Sequence, residues 1–431
     1  MLAKDSWCLR EARMDRHGKP VLENQMDTIL TVLNLVRSDA AHSRPEIVHL
    51  SGLGRNVVTH RVSQLLESGL LVEGQLGPST GGRAPRELLF RPDTGYILVA
   101  ELGATSISVA ISDLTGQLTG QHTESADVTA GPEVVLARVE ELFDELLQAH
   151  PVTVWGVGVG LPGPVEFSTG RPVAPPIMPG WDRYDARGYF ENRYDVPVWV
   201  DNDANVMALG ELRSGLARGQ SDVVYVKVGY GIGAGLVSGG EMHRGAQGSA
   251  GDIGHIEVSD HSDVVCRCGQ KGCLEALAGG IALAREGQRA ADTRQSPFLA
   301  ELRHGKQITA ADVGWAALNG DPVSVKLITH SAVLVGETLA RLVNFYNPAL
   351  ILIGGGVADV GDLYLATIRQ AILRRSLPLA TRALRIERSP LGNTAGLTGA
   401  GFMVIDQLLT PERLGMWIER GTPAGQPALS A

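Results

Sequence analysis

Long apolar runs are missing from this sequence. No stretch approaches the roughly 20 uninterrupted apolar residues of a membrane-spanning helix. The first residues, with Lys4, Asp5, Arg10, Glu11 and Arg13, form no apolar signal core. A cytosolic protein with no membrane partner is therefore expected. Aromatics are scarce at 5%, so the cores must be aliphatic. With 44% hydrophobic residues over 431 positions they are large enough for two or three packed units. That content excludes a disordered chain. The 53 glycines show no triplet period, which excludes collagen and points to tight turns and close backbone approach to a ligand, as in nucleotide or sugar loops. Cysteine is rare as well. Of four, three crowd together as Cys266, Cys268 and Cys273, and in a reducing compartment such crowding reads as metal binding before disulfide.

Charge is present but uneven. Residues 1–91 carry 12 Lys and Arg against 10 Asp and Glu, while the remainder is net −11 in a chain of −9 overall. A mildly basic head permits a nucleic-acid partner without requiring one, because a phosphate-binding surface depends on local clustering. Between Gln25 and Asp39, Met26, Ile29, Leu30, Leu33 and Val36 recur at helical spacing. Ser43, Pro45 and Glu46 supply an N-cap, an early proline and an acidic first turn for a short second helix. After the turn Ser51-Gly52-Leu53-Gly54, a third helix runs from Arg55 towards Ser68 with Val58, Val62, Leu65 and Leu66 on one face. Gly77 to Arg86 then form a hairpin with a basic tip, followed by a strand at Leu88 to Phe90. The order predicts a winged helix-turn-helix over residues 21–91, after a tail at 1–20 expected to be mobile. Arg55, Asn56, Thr59 and His60 fall on the first turns of the recognition helix, where base edges are met. Arg83 and Arg86 on the wing can track a phosphate strand or enter the minor groove. Other three-helix units bind protein, but the basic wing favours operator DNA. Gly54 is a poorer N-cap than Ser or Thr.

Residues 92–410 read as an α/β body, with 411–431 as a C-terminal tail. Tyr96 to Ala100 is a buried-strand run leading into Glu101-Leu102-Gly103-Ala104-Thr105 and a second strand, Ile107 to Ser112. Such a glycine hairpin can hold phosphate oxygens with backbone N–H groups and a Thr hydroxyl. A helix at Pro132 to His150, a strand at Val154 to Val159 and the loop Gly160-Leu161-Pro162-Gly163-Pro164 follow. Val198 to Val200 then runs into Asp201-Asn202-Asp203-Ala204-Asn205 and a helix through Glu211. Polar residues crowded at the C-terminal end of a strand mark a ligand site.

Seven ordered motifs now carry a resemblance: Glu101-Leu-Gly-Ala-Thr105, Gly160-Leu-Pro-Gly163, Asn202-Asp-Ala-Asn205, Gly229-Tyr-Gly-Ile-Gly-Ala-Gly235, Gly251-Asp-Ile-Gly-His255, Cys266-Arg-Cys-Gly-Gln-Lys-Gly-Cys273-Leu-Glu275 and Gly354-Gly-Gly356. Over nearly all of residues 21–410 the chain resembles the ROK family (repressor, open reading frame, kinase). The resemblance implies a two-lobed sugar-kinase/actin-like ATPase fold, which is ribonuclease H-like. The winged head is similar to that of the family's transcriptional regulators, which the free-standing kinases lack. By resemblance, Asn202, Asp252, His255 and Glu275 contact sugar hydroxyls together with Gly163, and Asp203 matches the catalytic base of the kinases. Carboxylates suit this role, because a site built to pair with hydroxyls rejects analogues lacking them. Capping of the following helix is the plainer role open to Asp201 and Asp203. Asp252 stands where the kinases carry Glu, so the sugar need not be theirs.

His255, Cys266, Cys268 and Cys273 resemble one closed tetrahedral Zn2+ site, structural in kind because four protein ligands leave no open position. Such a metal would brace Asp252, His255 and Glu275. The nucleotide loops, Glu101, Gly103 and Thr105 with Gly229, Gly231 and Gly355, depart from the kinases. Glu101 replaces Asp, Ala104 replaces Gly and Tyr230 replaces Thr, and each change crowds a phosphate or displaces its Mg2+. ATP with Mg2+ is therefore disfavoured as a cofactor, and Asp203 is catalytic only if a kinase activity survives. The reading is a sugar-responsive regulator, a repressor of carbohydrate genes, whose partners are operator DNA, a sugar or sugar phosphate, and a second copy of itself. The alternative is an active ATP-dependent, hexokinase-like sugar kinase. An interaction scaffold without sugar binding is disfavoured by the retained polar set.

Overall fold

The computed structural model describes residues 25–76, 86–303 and 305–426. The expected tail at 1–20 and the wing tip with Arg83 lie outside the described residues. The head comprises α1 (Gln25–Arg37), α2 (Arg44–Ser51) and α3 (Arg55–Glu67), then the antiparallel strands β1 (Leu71–Leu76) and β2 (Arg86–Phe90). Helix α1 buries Ile29, Val32, Leu33 and Val36. Helix α2 opens where the Ser43 hydroxyl accepts from the Glu46 N–H and closes at Gly52, whose φ of 69° suits glycine. Helix α3 starts at Gly54 with no side-chain cap and buries Val58, Val62 and Leu65, which turns Arg55, Asn56, Thr59 and His60 to solvent.

The body repeats one strand plan twice. The first lobe contains β3 (Tyr96–Leu102), β4 (Ser106–Ser112), β5 (Leu118–Ser125), α4 (Pro132–Ala149), β6 (Val154–Leu161), the short pair β7 (Val165–Glu166) and β8 (Arg171–Pro172), α5 (Ala186–Tyr194) and β9 (Val198–Asn202). Helix α6 (Asp203–Ser214) leads out of it. The second lobe contains β10 (Val223–Val228), β11 (Ile232–Ser238), β12 (Glu241–His243), α7 (Leu274–Ala278), α8 (Gly280–Asp292), α9 (Pro297–Leu302), α10 (Ala310–Leu318), α11 (Pro322–Tyr346), β13 (Leu350–Gly354), α12 (Asp362–Arg375), α13 (Pro378–Thr381) and β14 (Arg385–Arg388). The sheet orders are β5-β4-β3-β6-β9 and β12-β11-β10-β13-β14. In each, three antiparallel strands continue into two parallel ones. The second-lobe core is aliphatic apart from Tyr364, whereas the first-lobe core adds Phe143, Trp181 and Phe190 to its aliphatic residues, so the few aromatics are concentrated rather than absent. Gly160 and Leu161, expected in a loop, are the last residues of β6.

Helix α14 (Ala395–Leu408) packs along α6 through glycine: a methyl at Gly399 would stand 1.7 Å from the Val206 carbonyl oxygen, so the helices meet backbone to backbone. Helix α11 is long and apolar enough to cross a membrane by length and composition, but half of that stretch is buried inside the protein.

The expectation of a C-terminal tail is corrected for its first residues. Thr410 caps α15 (Pro411–Trp417), and Trp417 is buried with its ring centroid 5.1 Å from that of Trp155. Its indole N–H donates to the Leu408 carbonyl. Two large rings that must leave water outweigh the turn chemistry of Thr410-Pro411, which marks a helix start as readily as a chain end. Beyond this helix, Met26 of α1 lies against Gly415, so the head rests on α15. The head core, Trp155, Trp417 and the apolar faces of α6 and α14 form one continuous hydrophobic cluster.

Candidate functional site

Between the lobes lies a cleft of 1160 Å3, and the corresponding turns of the two sheets, Gly103-Ala104-Thr105 and Gly229-Tyr230-Gly231, both line it. The structure brings together there every candidate sugar and nucleotide-loop residue: Gly163, Asn202, Asp203, Asp252, His255 and Glu275 with Glu101, Gly103, Thr105, Gly229, Gly231 and Gly355.

Strand β9 delivers Asn202 and Asp203 to the cleft, and the helix start fixes them. The Asn202 side chain is the N-cap of α6: its Oδ1 accepts from the N–H groups of Ala204 and Asn205, and its Nδ2 donates to the Gly163 carbonyl at 2.9 Å. Capping thus falls to Asn202, leaving Asp203 in the first turn, where the helix dipole favours its charge. Asp201, 1% exposed, instead accepts from Arg244 Nε at 2.7 Å and from Asn205 Nδ2 at 3.0 Å. The guanidinium of Arg244 also lies 3.9 Å above the Phe167 ring. This pairing holds the loop at 244 against the first lobe. Asn205 Oδ1 is buried beside the cleft without a protein partner, an acceptor that awaits a donor.

Lys227 went unseen in the sequence. It stands near the end of β10, 17% exposed, and its ammonium donates a hydrogen bond to Asp203 Oδ2. Burial works against the ammonium charge, but Asp203 and Glu101 outweigh it and hold its pKa above the usual lysine value. Burial pushes Glu101 up to about 7; Lys227 opposes that rise and Asp203 adds to it. The Glu101 carboxylate packs on the first turn of α14, where a methyl at Gly396 would stand 2.0 Å from Oε2.

On the second-lobe wall, Glu275 Oε2 accepts from the Ile232 N–H at 3.0 Å, and burial raises its pKa. Gly231 is required here, since a methyl would meet the same oxygen at 2.1 Å. Two residues before Glu275 lies Cys273, the last member of a His and Cys cluster. One ligand atom from each of His255, Cys266, Cys268 and Cys273 lies within 4.8 Å of all the others. His255 Nδ1 is 3.5 Å from Cys266 Sγ, and Cys268 Sγ is 3.7 Å from Cys273 Sγ. Bonds of about 2.0 to 2.3 Å to a tetrahedral ion imply edges of about 3.5 to 3.8 Å, so the spacing fits one small cation. This cluster can hold a metal. His255 also lines the cleft.

In the head, α3 presents the four candidate base-reading residues as one exposed face. Arg86 is 3.6 Å from Glu73 Oε2, and Arg44 Nη2 is 3.1 Å from Glu73 Oε1, so part of the wing's positive charge is balanced within the head.

A mixed α/β body of two matched lobes around a polar cleft defines the sugar-kinase-like class. The ROK family profile matches residues 97–407, and the chain belongs to that family. A xylose repressor of Caldicellulosiruptor bescii is 31% identical over 396 residues, covering 91% of this chain and 98% of the relative. A glucokinase of Halalkalibacterium halodurans is 32% identical over 320 residues, covering 73% of this chain and 96% of the relative. Among solved structures, a ROK family transcriptional regulator described as a homolog of the E. coli MLC protein matches with a TM-score of 0.78 at 25% identity, covering 92% of this chain and 99% of that one. A ROK glucokinase from Streptomyces griseus, in complex with glucose and AMPPNP, matches with a TM-score of 0.65 at 30% identity, covering 72% and 99%.

Proposed function

We infer that this protein is a sugar-responsive, DNA-binding transcriptional regulator, a repressor whose effector occupies the interlobe cleft. One observation carries the reading. Similarity to the C. bescii xylose repressor and to the MLC-homologous regulator spans 91% and 92% of the chain, whereas the two glucokinases span 73% and 72%. The winged head is what separates the two groups.

The geometry supports this reading at three points. Arg55, Asn56, Thr59 and His60 form an exposed face at the start of a helix that fits a major groove. Asn202, Asp203, Asp252, His255 and Glu275 offer acceptors and donors for a neutral polyol, with D-xylose the first candidate because of the relative's name. A Zn2+ ion in the Cys and His cluster would stiffen the wall that carries Glu275. Operator binding asks for two heads, since one winged helix covers too little DNA for a specific site, so the working form is a homodimer or larger.

Helices α6 and α14 offer the route between sugar and DNA. Each begins at the cleft, α6 with Asp203 and α14 with Gly396 under Glu101. Near their far ends Arg213 Nε of α6 donates to Asp406 Oδ2 of α14 at 2.8 Å. Asp406 also acts electrostatically on Arg37 at the end of α1, whose pKa burial lowers and Asp406 partly restores. A ligand moves the heads only through its differential affinity for two cleft conformations.

Gel shifts on the DNA upstream of this gene and its neighbours test the proposal, with D-xylose, D-glucose and further sugars added in the absence of ATP. Release by one sugar without nucleotide is the expected result, and Asp203→Asn should bind the operator yet ignore the sugar. Release that requires a hydrolysable nucleotide would instead favour the kinase reading, which the 32% identity to a glucokinase keeps as the second reading.

A further inference from the structure

The twin sheets place two residues in equivalent positions. Glu101 stands two residues before the turn glycine Gly103 on β3, and Lys227 two residues before Gly229 on β10. Their parallel neighbours correspond as well, Gly160 for Glu101 and Gly354 for Lys227. Side chains at matched positions of the two lobes therefore enter one cleft, here with opposite charge, and Asp203 joins them at the start of α6.

A phosphoryl-transfer cleft needs positive charge at this place, from a divalent ion, to neutralise phosphate oxygens, and it needs its base carboxylate open to the attacking hydroxyl. Here the chain itself supplies the positive charge, and one of the two Asp203 oxygens is already taken. Lys227 Nζ occupies Asp203 Oδ2, and both side chains are largely buried, at 17% and 8% exposure. The charge balance is completed by the chain itself.

We propose that Lys227 is a built-in counter-cation that replaces a divalent ion in this cleft, and that it is the residue setting the site to hold an uncharged sugar without nucleotide. The proposal rests on the reading of the cleft as a sugar sensor and explains that reading's independence from ATP. Lys227 is a specificity-determining residue. Its ammonium pairs with Asp203 and acts electrostatically on Glu101, leaves no vacancy for Mg2+ with a phosphate, and ties the second lobe to the start of α6. Without it, two carboxylates would face each other in a half-buried space, an arrangement that either takes up a proton or binds a hard cation through oxygen.

Mn2+ is the probe, titrated against the full-length, metal-loaded protein at mildly alkaline pH and followed by electron paramagnetic resonance. This experiment uses neither sugar nor DNA, so its outcome is independent of whether the regulator reading stands. Wild type should take up no Mn2+ at the cleft, K227A should take up one ion per chain, and D203N/K227A should take up none. Thermal melts give a second readout: Mn2+ should raise the melting temperature of K227A and leave that of wild type and D203N/K227A unchanged. Wild type binding Mn2+ with an affinity equal to that of K227A would overturn the proposal, as would K227A failing to bind it. If K227A does not fold alone, Mn2+ should restore its fold; failure to do so also refutes the idea, because a replacing cation must do what the ammonium did. A third contrary result is wild type binding Mg2+ and AMPPNP with K227A losing that binding, which would make Lys227 a phosphate ligand.

Discussion

The two lobes share one strand order, yet their matching turns have diverged. The first-lobe strand carries Glu101 as its next-to-last residue before a turn containing Ala104; the second-lobe strand carries Lys227 in the same place before a turn containing Tyr230. Around the first turn little has been added. Behind the second stands an insert between β12 and α8 that carries His255, the three cysteines and Glu275. A duplicated scaffold guarantees that paired positions face one cleft, and what occupies them decides the chemistry. Here one wall carries Glu275 beside the His255 and cysteine cluster, while on the other side Lys227 pairs with Asp203 next to Glu101.

The sharpest way to break this asymmetry is to remove the brace. Cys268→Ser should lose the metal and, with it, sugar affinity by about 100-fold or more, because outer supports of this kind are worth about 10- to 100-fold even when the ligands themselves remain. Elemental analysis and calorimetry on the same sample measure both. A metal-free variant that binds sugar normally would show that Glu275 is held by Ile232 alone.

The first-lobe counterpart titrates. Glu101 is held protonated up to about pH 7, mainly by burial, against a usual value of 4.5. The folded protein therefore binds a proton that the unfolded chain has already released in this window. That contribution to stability is complete below pH 4.5 and is lost as pH rises through 7. A shift of this size amounts to roughly 3 kcal/mol across the window. Denaturant melts from pH 4.5 to 8 should show the decline in wild type and a flatter profile in Glu101→Gln. Equal slopes would mean that Lys227 keeps Glu101 ionised throughout.

Much of this asymmetry was legible in the sequence. Cys266, Cys268, Cys273, the Asn202-Asp203 step and the glycine turns are local patterns whose chemistry needs particular residues at fixed spacing. Lys227 was not legible, because Val223 to Val228 reads as an ordinary strand with one polar residue, and only the register of two lobes shows that it faces Asp203. Asn205 appeared inside a motif, but its unpartnered Oδ1 depends on Asp201 already holding Nδ2. Asp406 and Trp417 lie in stretches whose meaning is tertiary: a carboxylate bonded to Arg213 and felt electrostatically by Arg37, and a ring packed against Trp155. Periodicity reports which face of an element is apolar and says nothing of which distant element will cover it.

That tertiary link gives the next test. If signal passes from cleft to head along α6 and α14, Asp406→Asn should leave both sugar affinity and basal DNA affinity close to wild type while reducing their coupling by about 0.5 to 2 kcal/mol. The quantity to measure is the ratio of operator affinities with and without sugar. An unchanged ratio would confine the communication to the apolar contacts between α1 and α15.

The smallest expected effect concerns Tyr230, the partner of Ala104 in the comparison. Arg267, between two of the cysteines, lies 5.0 Å from the Tyr230 ring centroid, so the second turn is tied to the cysteine loop by a cation over an aromatic face. Arg267 is exposed, which places such a contact near the low end of its range, about 0.5 kcal/mol. Tyr230→Thr should therefore cost about that much stability, visible as a slight fall in the denaturation midpoint. The same change shortens a side chain that lines the cleft, so it also asks whether Tyr230 or Lys227 keeps nucleotide out. With Lys227 still on Asp203, AMPPNP with Mg2+ should remain unbound in Tyr230→Thr, and adding Ala104→Gly should not change that. Nucleotide binding by Tyr230→Thr alone would transfer the gatekeeping role from the charged pair to the tyrosine ring.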